Sequence, residues 1–226
     1  MCSSMGTAAA MASVTTAQTK EAHRIANRTR NLKKEQYRII NENGEVVLTK
    51  QGKEHEVVTT VGEKREYLQD AVSIHNHPNG GTLSPADLSD FGYGARQIVA
   101  ASPEGDYKLT RKGTHYNWRN MQDAMEKAGV TKERSYTELK KEAQERPKIK
   151  KLMQQQSNIS AEWVKARSEG KSQEHLDKLT EKYNKVNATY KEALAAEMRT
   201  LETKPYHDFY KKNAKKYGYI YTFEKK

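Results

Sequence analysis

Cysteine is almost absent from this sequence, and so are long apolar runs. Cys2 is the single cysteine among 226 residues, which excludes a disulfide framework and a metal cluster built from thiolates. No stretch approaches the ~20 apolar residues of a transmembrane helix, so no membrane partner is expected. The first twenty residues have neither a basic start nor a sustained apolar block, which is not typical of a secretory signal. We therefore predict a disordered tail over residues 1–17 and a cytoplasmic protein.

The composition is too polar for one large, well-packed globule. Hydrophobic residues make up 35% of the chain, charged residues 31%, and the mean hydropathy is −1.02. This balance favours a core domain of modest size joined to long, solvent-exposed helices. The net charge of +11 is compatible with an acidic partner. However, glutamates alternate with the lysines except in residues 211–226, and no nucleic-acid-binding motif occurs, so nucleic acid is not expected as a partner.

Strand signals dominate the first half of the chain, which predicts a small sheet domain. A short basic helix is predicted over residues 18–33, and the Asn43-Gly44 pair predicts a turn between two strands. Further strands are predicted in "EHEVVTTV", "DAVSIHNHP", "QIVAAS" and "GDYKLTRKG".

From residue 117 onwards the pattern is helical. A segment from Tyr136 to Ser168 is expected to be interrupted at Pro147. A loop around Gly170 would let the next amphipathic helix fold back as an antiparallel partner. Pro205 is expected to end that helix, and "KKYGYIYTFEKK" predicts a terminal strand. The predicted fold class is therefore α+β, with a sheet domain over residues 18–116 and a basic helical extension over residues 117–226.

Chemistry-bearing residues concentrate in "SIHNHPNGGTLSPADL", residues 73–88. On a strand, the side chains of His75 and His77 point to the same face, so both imidazoles can bind one metal ion. Ser84 before Pro85 predicts a helix start, with Ser84 as the N-cap and Pro85 at the first helical position. Asp87 would then lie in the first helical turn, where it can turn back towards the histidines as a third ligand. Glycines at 80 and 81 would allow the sharp path that this requires.

The stretch "HNHPNGGTLSPAD" resembles the JAMM metalloproteases, also called JAB or MPN+, whose pattern is His-x-His-Pro, a short loop and Ser-x-x-Asp. RadC-like and phage head-protein-associated JAB domains are the most similar group. The resemblance extends over residues 33–113 and implies a JAB/MPN-like fold. Nine residues separate His77 from Asp87, one fewer than is usual in the family.

This resemblance implies a role for each candidate residue. His75, His77 and Asp87 would hold Zn²⁺, with a water at the fourth position. Glu35, at the start of the first strand, would be the general base, and Ser84 would hydrogen-bond the oxyanion of the tetrahedral intermediate. Other glutamates remain open as the base, namely Glu42, Glu45, Glu54, Glu56, Glu63 and Glu66.

The expected function is that of a phage- or prophage-encoded zinc metallopeptidase or isopeptidase acting on a protein or peptide. Two alternatives belong to other classes. One is a non-catalytic head or virion assembly module on a JAB fold, with a phage structural protein as partner. The other is the toxin domain of a polymorphic toxin system. The intact ligand set together with Ser84 favours the enzyme. A phage-encoded enzyme would be found in the host cytoplasm or in the virion.

Overall fold

The structure is a computed structural model that describes residues 13–53, 57–78, 80–113, 116–132 and 134–226. Cys2, most of the expected tail, Glu54 and Glu56 lie outside these ranges. Within them the fold is α+β, as predicted. Six strands form one sheet in the order β2-β1-β3-β4-β5-β6. The strands are β1 (Gln36–Ile40), β2 (Val46–Gln51), β3 (Val72–Asn76), β4 (Gln97–Ser102), β5 (Gly105–Arg111) and β6 (Tyr219–Lys225).

The sheet is mixed because one neighbouring pair is parallel. β3 and β4 run parallel, whereas β1/β2, β1/β3, β4/β5 and β5/β6 are antiparallel. A parallel pair requires a crossover, and the chain between Asn76 and Gln97 supplies it. This crossover contains the whole Gly-Gly and Ser-Pro-Ala-Asp stretch, so the candidate site lies where β3 ends.

Seven α-helices occur in the described parts of the chain. They are α1 (Thr16–Thr29), α2 (Val61–Tyr67), α3 (Ser89–Gly92), α4 (Trp118–Lys127), α5 (Tyr136–Gln144), α6 (Pro147–Ser168) and α7 (Gln173–Asn213). A 3₁₀ turn, Ala214–Tyr217, joins α7 to β6. Among the described residues, none of these helices has the length and apolar character needed to cross a membrane.

The chain divides into two compact units. The first ends at Lys132 and resumes from Thr203 to Lys226, whereas the second runs from Glu133 to Glu202. This differs from the sequence-based division at residue 116, because β6 pairs along its length with β5 and α4 packs in the core of the first unit. In the second unit, α6 and α7 are joined at Gly170, whose φ of 66° is left-handed, and Gln156 of α6 donates to Asn187 of α7 at 3.0 Å, so the two helices contact each other.

The two faces of the sheet bury different cores. α1 begins with a capping box at Thr15 and presents Ala22, Ile25 and Ala26 at helical spacing to one face. The opposite face packs against α3, α4 and the end of α7, with Phe91, Met121 and Tyr210 among its buried side chains. Side chains alternate along β1 and β3, so Tyr37 and His75 lie on this second face.

Three local expectations were wrong. Residues 57–60 of "EHEVVTTV" form no strand, because Thr60 caps α2 and accepts the N–H of Glu63. Residues 85–88 form turns rather than the first turn of a helix, and α3 begins only at Ser89. Pro205 does not end α7, which continues to Asn213. A proline inside a helix costs roughly 3 kcal/mol, and the fully buried Tyr210 on the far side helps to offset that cost.

Candidate metal centre

β3 presents two histidines side by side on one face of the sheet. His75 pairs with Tyr37 of β1, and His77 follows the last residue of the strand. Both imidazoles are buried, with 6% and 5% of their residues exposed. Their Nε2 atoms are 2.8 Å apart, so the two ring nitrogens lie close enough to bind one ion together. The predicted same-face arrangement is therefore present.

The crossover loop returns Asp87 to these histidines. Asp87 Oδ1 lies 3.4 Å from His75 Nε2. His75, His77 and Asp87 each offer one ligand atom, and these atoms all lie within 4.8 Å of one another. The return is made by successive turns, since Asp87 N–H donates to the Ser84 carbonyl at 3.2 Å. The short loop therefore closes without the predicted helix.

The hydrogen bonds of His77 fix its tautomer. His77 Nδ1 lies 3.3 Å from the Gly81 carbonyl oxygen, which can only accept. Nδ1 therefore carries a proton, and in the neutral form of the ring the lone pair lies on Nε2, which is the atom that faces His75. Metal-ligating histidines commonly have such a carbonyl partner. His75 Nδ1 is buried and has no hydrogen-bond partner among the described residues. Of the two imidazoles, His77 is therefore the one whose ring is held by a backbone carbonyl.

Ser84 orients Asp87. The Ser84 N–H and Oγ–H both donate to Asp87 Oδ2, at 2.7 and 2.9 Å, which leaves Oδ1 towards His75. Burial alone would raise the pKa of Asp87, but the charges of His75 and His77 and the Ser84 backbone N–H hold it well below its ordinary value. Burial likewise opposes protonation of His75, yet the Asp87 carboxylate raises the pKa of that imidazole. The charged carboxylate is therefore the stable form beside the imidazoles.

Glu35 is the carboxylate that sequence reasoning placed first as the base, and it is buried, with 7% of the residue exposed. After the larger effect of Asp87, its charge is among those that raise the pKa of His75. Asn76 holds the backbone on both sides of it. Asn76 Oδ1 accepts the Gln36 N–H at 2.7 Å, and Nδ2 donates to the Lys34 carbonyl at 3.2 Å.

The other described glutamates do not share this position. Glu42, Glu45 and Glu66 are exposed, and Glu63 pairs with Lys50 while capping α2. One carboxylate that sequence reasoning missed is Glu104, in the turn between β4 and β5. A Cβ at Gly80 would lie 2.3 Å from Glu104 Oε1, so this side chain rests against the loop that follows β3.

The C-terminal segment also packs against that loop. Tyr221 of β6 places its hydroxyl 2.7 Å from Thr82 Oγ1 and 2.8 Å from His207 Nδ1. A Cβ at Gly81 would lie 2.7 Å from the Cγ2 of Thr203 in α7, so only glycine fits there, and its φ of 104° also favours glycine. Residues more than 100 positions away in sequence thus hold the loop that carries Asp87. No local sequence signal reveals these partners.

In comparisons with protein-family models, curated proteins and solved structures, nothing matches this chain. The chemistry of the site and the motif itself are therefore what indicate a function.

Proposed function

We propose that the first unit is a zinc-dependent metallopeptidase or isopeptidase on a JAB/MPN-like fold, hydrolysing an amide bond in a protein substrate. The convergence of His75 Nε2, His77 Nε2 and Asp87 Oδ1 at the end of β3 is the observation that supports it most. Three protein ligands, here two imidazoles and a carboxylate, are typical of catalytic zinc sites, whereas structural zinc sites fill all four positions with protein ligands.

The donor types fit zinc, and one of the distances between them also does. Two ligands bound tetrahedrally at about 2.0–2.1 Å would lie roughly 3.3 Å apart. His75 Nε2 and Asp87 Oδ1 are 3.4 Å apart. The 2.8 Å between the two Nε2 atoms is a hydrogen-bond distance, so one ring donates to the other, and metal binding would replace that proton.

When bound, the zinc ion would polarise the scissile carbonyl and lower the pKa of a water molecule towards 7. Glu35 would accept the proton from that water and deliver it to the leaving amine. Its burial, with 7% of the residue exposed, limits the access of bulk water to the carboxylate. The backbone of Glu35 is hydrogen-bonded to Lys53 and Gly52, and the two Asn76 hydrogen bonds hold the residues on either side of it. These bonds keep the backbone of Glu35 fixed while the proton is transferred.

Ser84 would serve twice in this scheme. Its hydroxyl donates to Asp87 Oδ2, so donation to a developing oxyanion requires the hydroxyl to rotate away. The Ser84 backbone N–H, at 2.7 Å, continues to hold the same oxygen during that rotation. Asp87 can thus stay in place while the hydroxyl stabilises new charge.

A matched pair of charge-neutral variants tests the proposal. Glu35→Gln should retain zinc but lose hydrolysis by at least 100-fold, because general-base catalysis contributes about 10²–10⁴-fold. Glu104→Gln removes a carboxylate from the loop edge and should leave the rate within a few-fold. The probes are a library of proteome-derived peptides and a peptide carrying a lysine isopeptide bond, with cleavage followed by mass spectrometry.

Two outcomes would contradict the proposal. A fully active Glu35→Gln protein would eliminate Glu35 as the base. A zinc-bearing wild type that cleaves neither probe would favour the binding-module alternative, in which a phage structural protein is the partner.

A further inference from the structure

A concave site opens close to Asp87, one of the candidate metal ligands. It is a cleft of about 630 Å³ between the end of α2, the short helix α3 and the start of α4. Ligand-binding clefts commonly have volumes of about 300–1,000 Å³. Ser89 lies on its wall and follows the metal ligand Asp87 by two residues. Because consecutive Cα atoms are 3.8 Å apart, their Cα atoms lie within about 7.6 Å of each other.

The cleft has an excess of positive charge. Arg65 and Arg119 line it, and none of the described lining residues is a carboxylate. Both arginines are exposed, and neither has a carboxylate within 4.0 Å among the residues that the structure describes. Nearby Arg96 and Arg111 differ, since both pair with Asp70. The two cleft guanidiniums thus remain available to an anionic partner.

Aromatic side chains that line the cleft hold the Arg119 guanidinium in a defined orientation. Trp118 is half-buried, and a Cβ at Gly92 would come within 3.0 Å of its indole, so the absent side chain lets the ring rest on α3. The Arg119 guanidinium lies over this indole at 5.4 Å from the ring centroid. A stacked guanidinium keeps its N–H groups at the edge of its plane, where they can bind a carboxylate with two hydrogen bonds. Tyr93 adds a second half-buried ring.

We propose that this cleft binds an acidic segment of the protein substrate, with aspartate or glutamate carboxylates on Arg65 and Arg119 and apolar atoms on Trp118. Arginine, tryptophan and tyrosine are the residue types that contribute most to protein recognition. This inference rests on the proposed peptidase activity, since it describes what a substrate presents within a few residues of the cleaved bond. It selects acidic substrates over neutral ones.

The two tryptophans allow a direct binding test. Trp163→Phe leaves Trp118 as the single tryptophan, whose emission is excited selectively at wavelengths that tyrosine does not absorb. Capped hexaglutamate is titrated against the full chain, beside capped hexaglutamine and a hexathymidylate. We expect a saturable change with hexaglutamate alone, weakening as salt rises. The double variant Arg65→Glu/Arg119→Glu should weaken binding at least tenfold, and Arg65→Gln/Arg119→Gln should weaken it less.

A control with the same change in charge is available in the second unit. Lys148 and Lys191 are exposed, so Lys148→Glu/Lys191→Glu changes the net charge equally and should bind hexaglutamate like the parent. The inference is overturned if hexaglutamate gives no saturable change, if the arginine variants bind it as the parent does, or if hexaglutamine or hexathymidylate binds as tightly or more tightly.

The failures of the two proposals are distinguishable. The variant His75→Ala/His77→Ala should bind hexaglutamate normally, because the cleft does not include the metal ligands. A protein that holds zinc and cleaves peptides but ignores hexaglutamate contradicts only the acidic-substrate inference. A protein that binds hexaglutamate but holds no zinc contradicts only the proposed peptidase function.

Discussion

Replacing Asn76 should separate metal binding from catalysis. Its side chain is fully buried and makes two hydrogen bonds, to the Gln36 N–H and to the Lys34 carbonyl, on either side of Glu35. Asn76→Ala leaves both backbone groups without that partner. A hydrogen bond lost with its buried partner left unsatisfied costs about 1–3 kcal/mol. Because both bonds are only partly buried, we expect the free energy of unfolding to fall by roughly 2–4 kcal/mol.

The functional consequence should be confined to Glu35. His75 and His77 keep their own contacts, so zinc content should remain near that of the wild type, while the rate of peptide cleavage falls at least tenfold as the segment carrying Glu35 loosens. Urea unfolding followed by Trp118 fluorescence, in a Trp163→Phe background, measures stability. Asn158→Ala is the matched control, since Asn158 is exposed on α6. Unchanged cleavage and stability in Asn76→Ala would refute the claim that Asn76 holds the segment that carries Glu35.

Two further predictions concern the loop and the pH dependence of stability. Gly81→Ala should lose both stability and zinc, because its Cβ would clash with α7 and because its φ is positive. Gly170→Ala is the control: nothing lies within 4 Å of its Cβ, so it should cost only about 1 kcal/mol of stability and keep zinc. Equal zinc content in the two variants would contradict this prediction. For Asp70, burial raises the pKa, but a Gln69 hydrogen bond and two arginine charges lower it overall. Asp70→Asn, which tolerates the φ of 55°, should cost about 1 kcal/mol or less at pH 7, and this difference should vanish as the pH falls below 3.8 through the lowered pKa. A difference in urea midpoint that persists at pH 2 would argue against this ion-pair role.

The local sequence pattern was enough to predict features that depend on a single strand or turn. Alternation along a strand placed His75 and His77 on one face, and the Asn43-Gly44 pair marked the turn between β1 and β2. Asp87 returned to the histidines although the predicted helix was wrong, because the turns at 85–88 and the Ser84 hydrogen bonds achieve the same return. The ligand set therefore depended on spacing and turn chemistry, both of which are visible in the sequence.

Long-range packing determined what the sequence could not reveal. Tyr221 and Thr203 contact the loop that follows β3 from the far end of the chain, and nothing local to either residue indicates this partner. Pro205 lies within α7 because the apolar side chains that follow it, such as Tyr210, are buried in the first core. Local propensity alone favoured a break there. The cationic cleft likewise assembles from three separate helices.

Metal content tests the central claim most directly. Mass spectrometry of the purified protein, beside the His75→Ala/His77→Ala variant, should find about one zinc per chain in the wild type and none in the variant. The variant should lose the metal because its two substitutions remove two of the three proposed ligands. A wild type that carries no metal and takes up none when zinc is added would contradict the proposed metal centre and the peptidase function that depends on it.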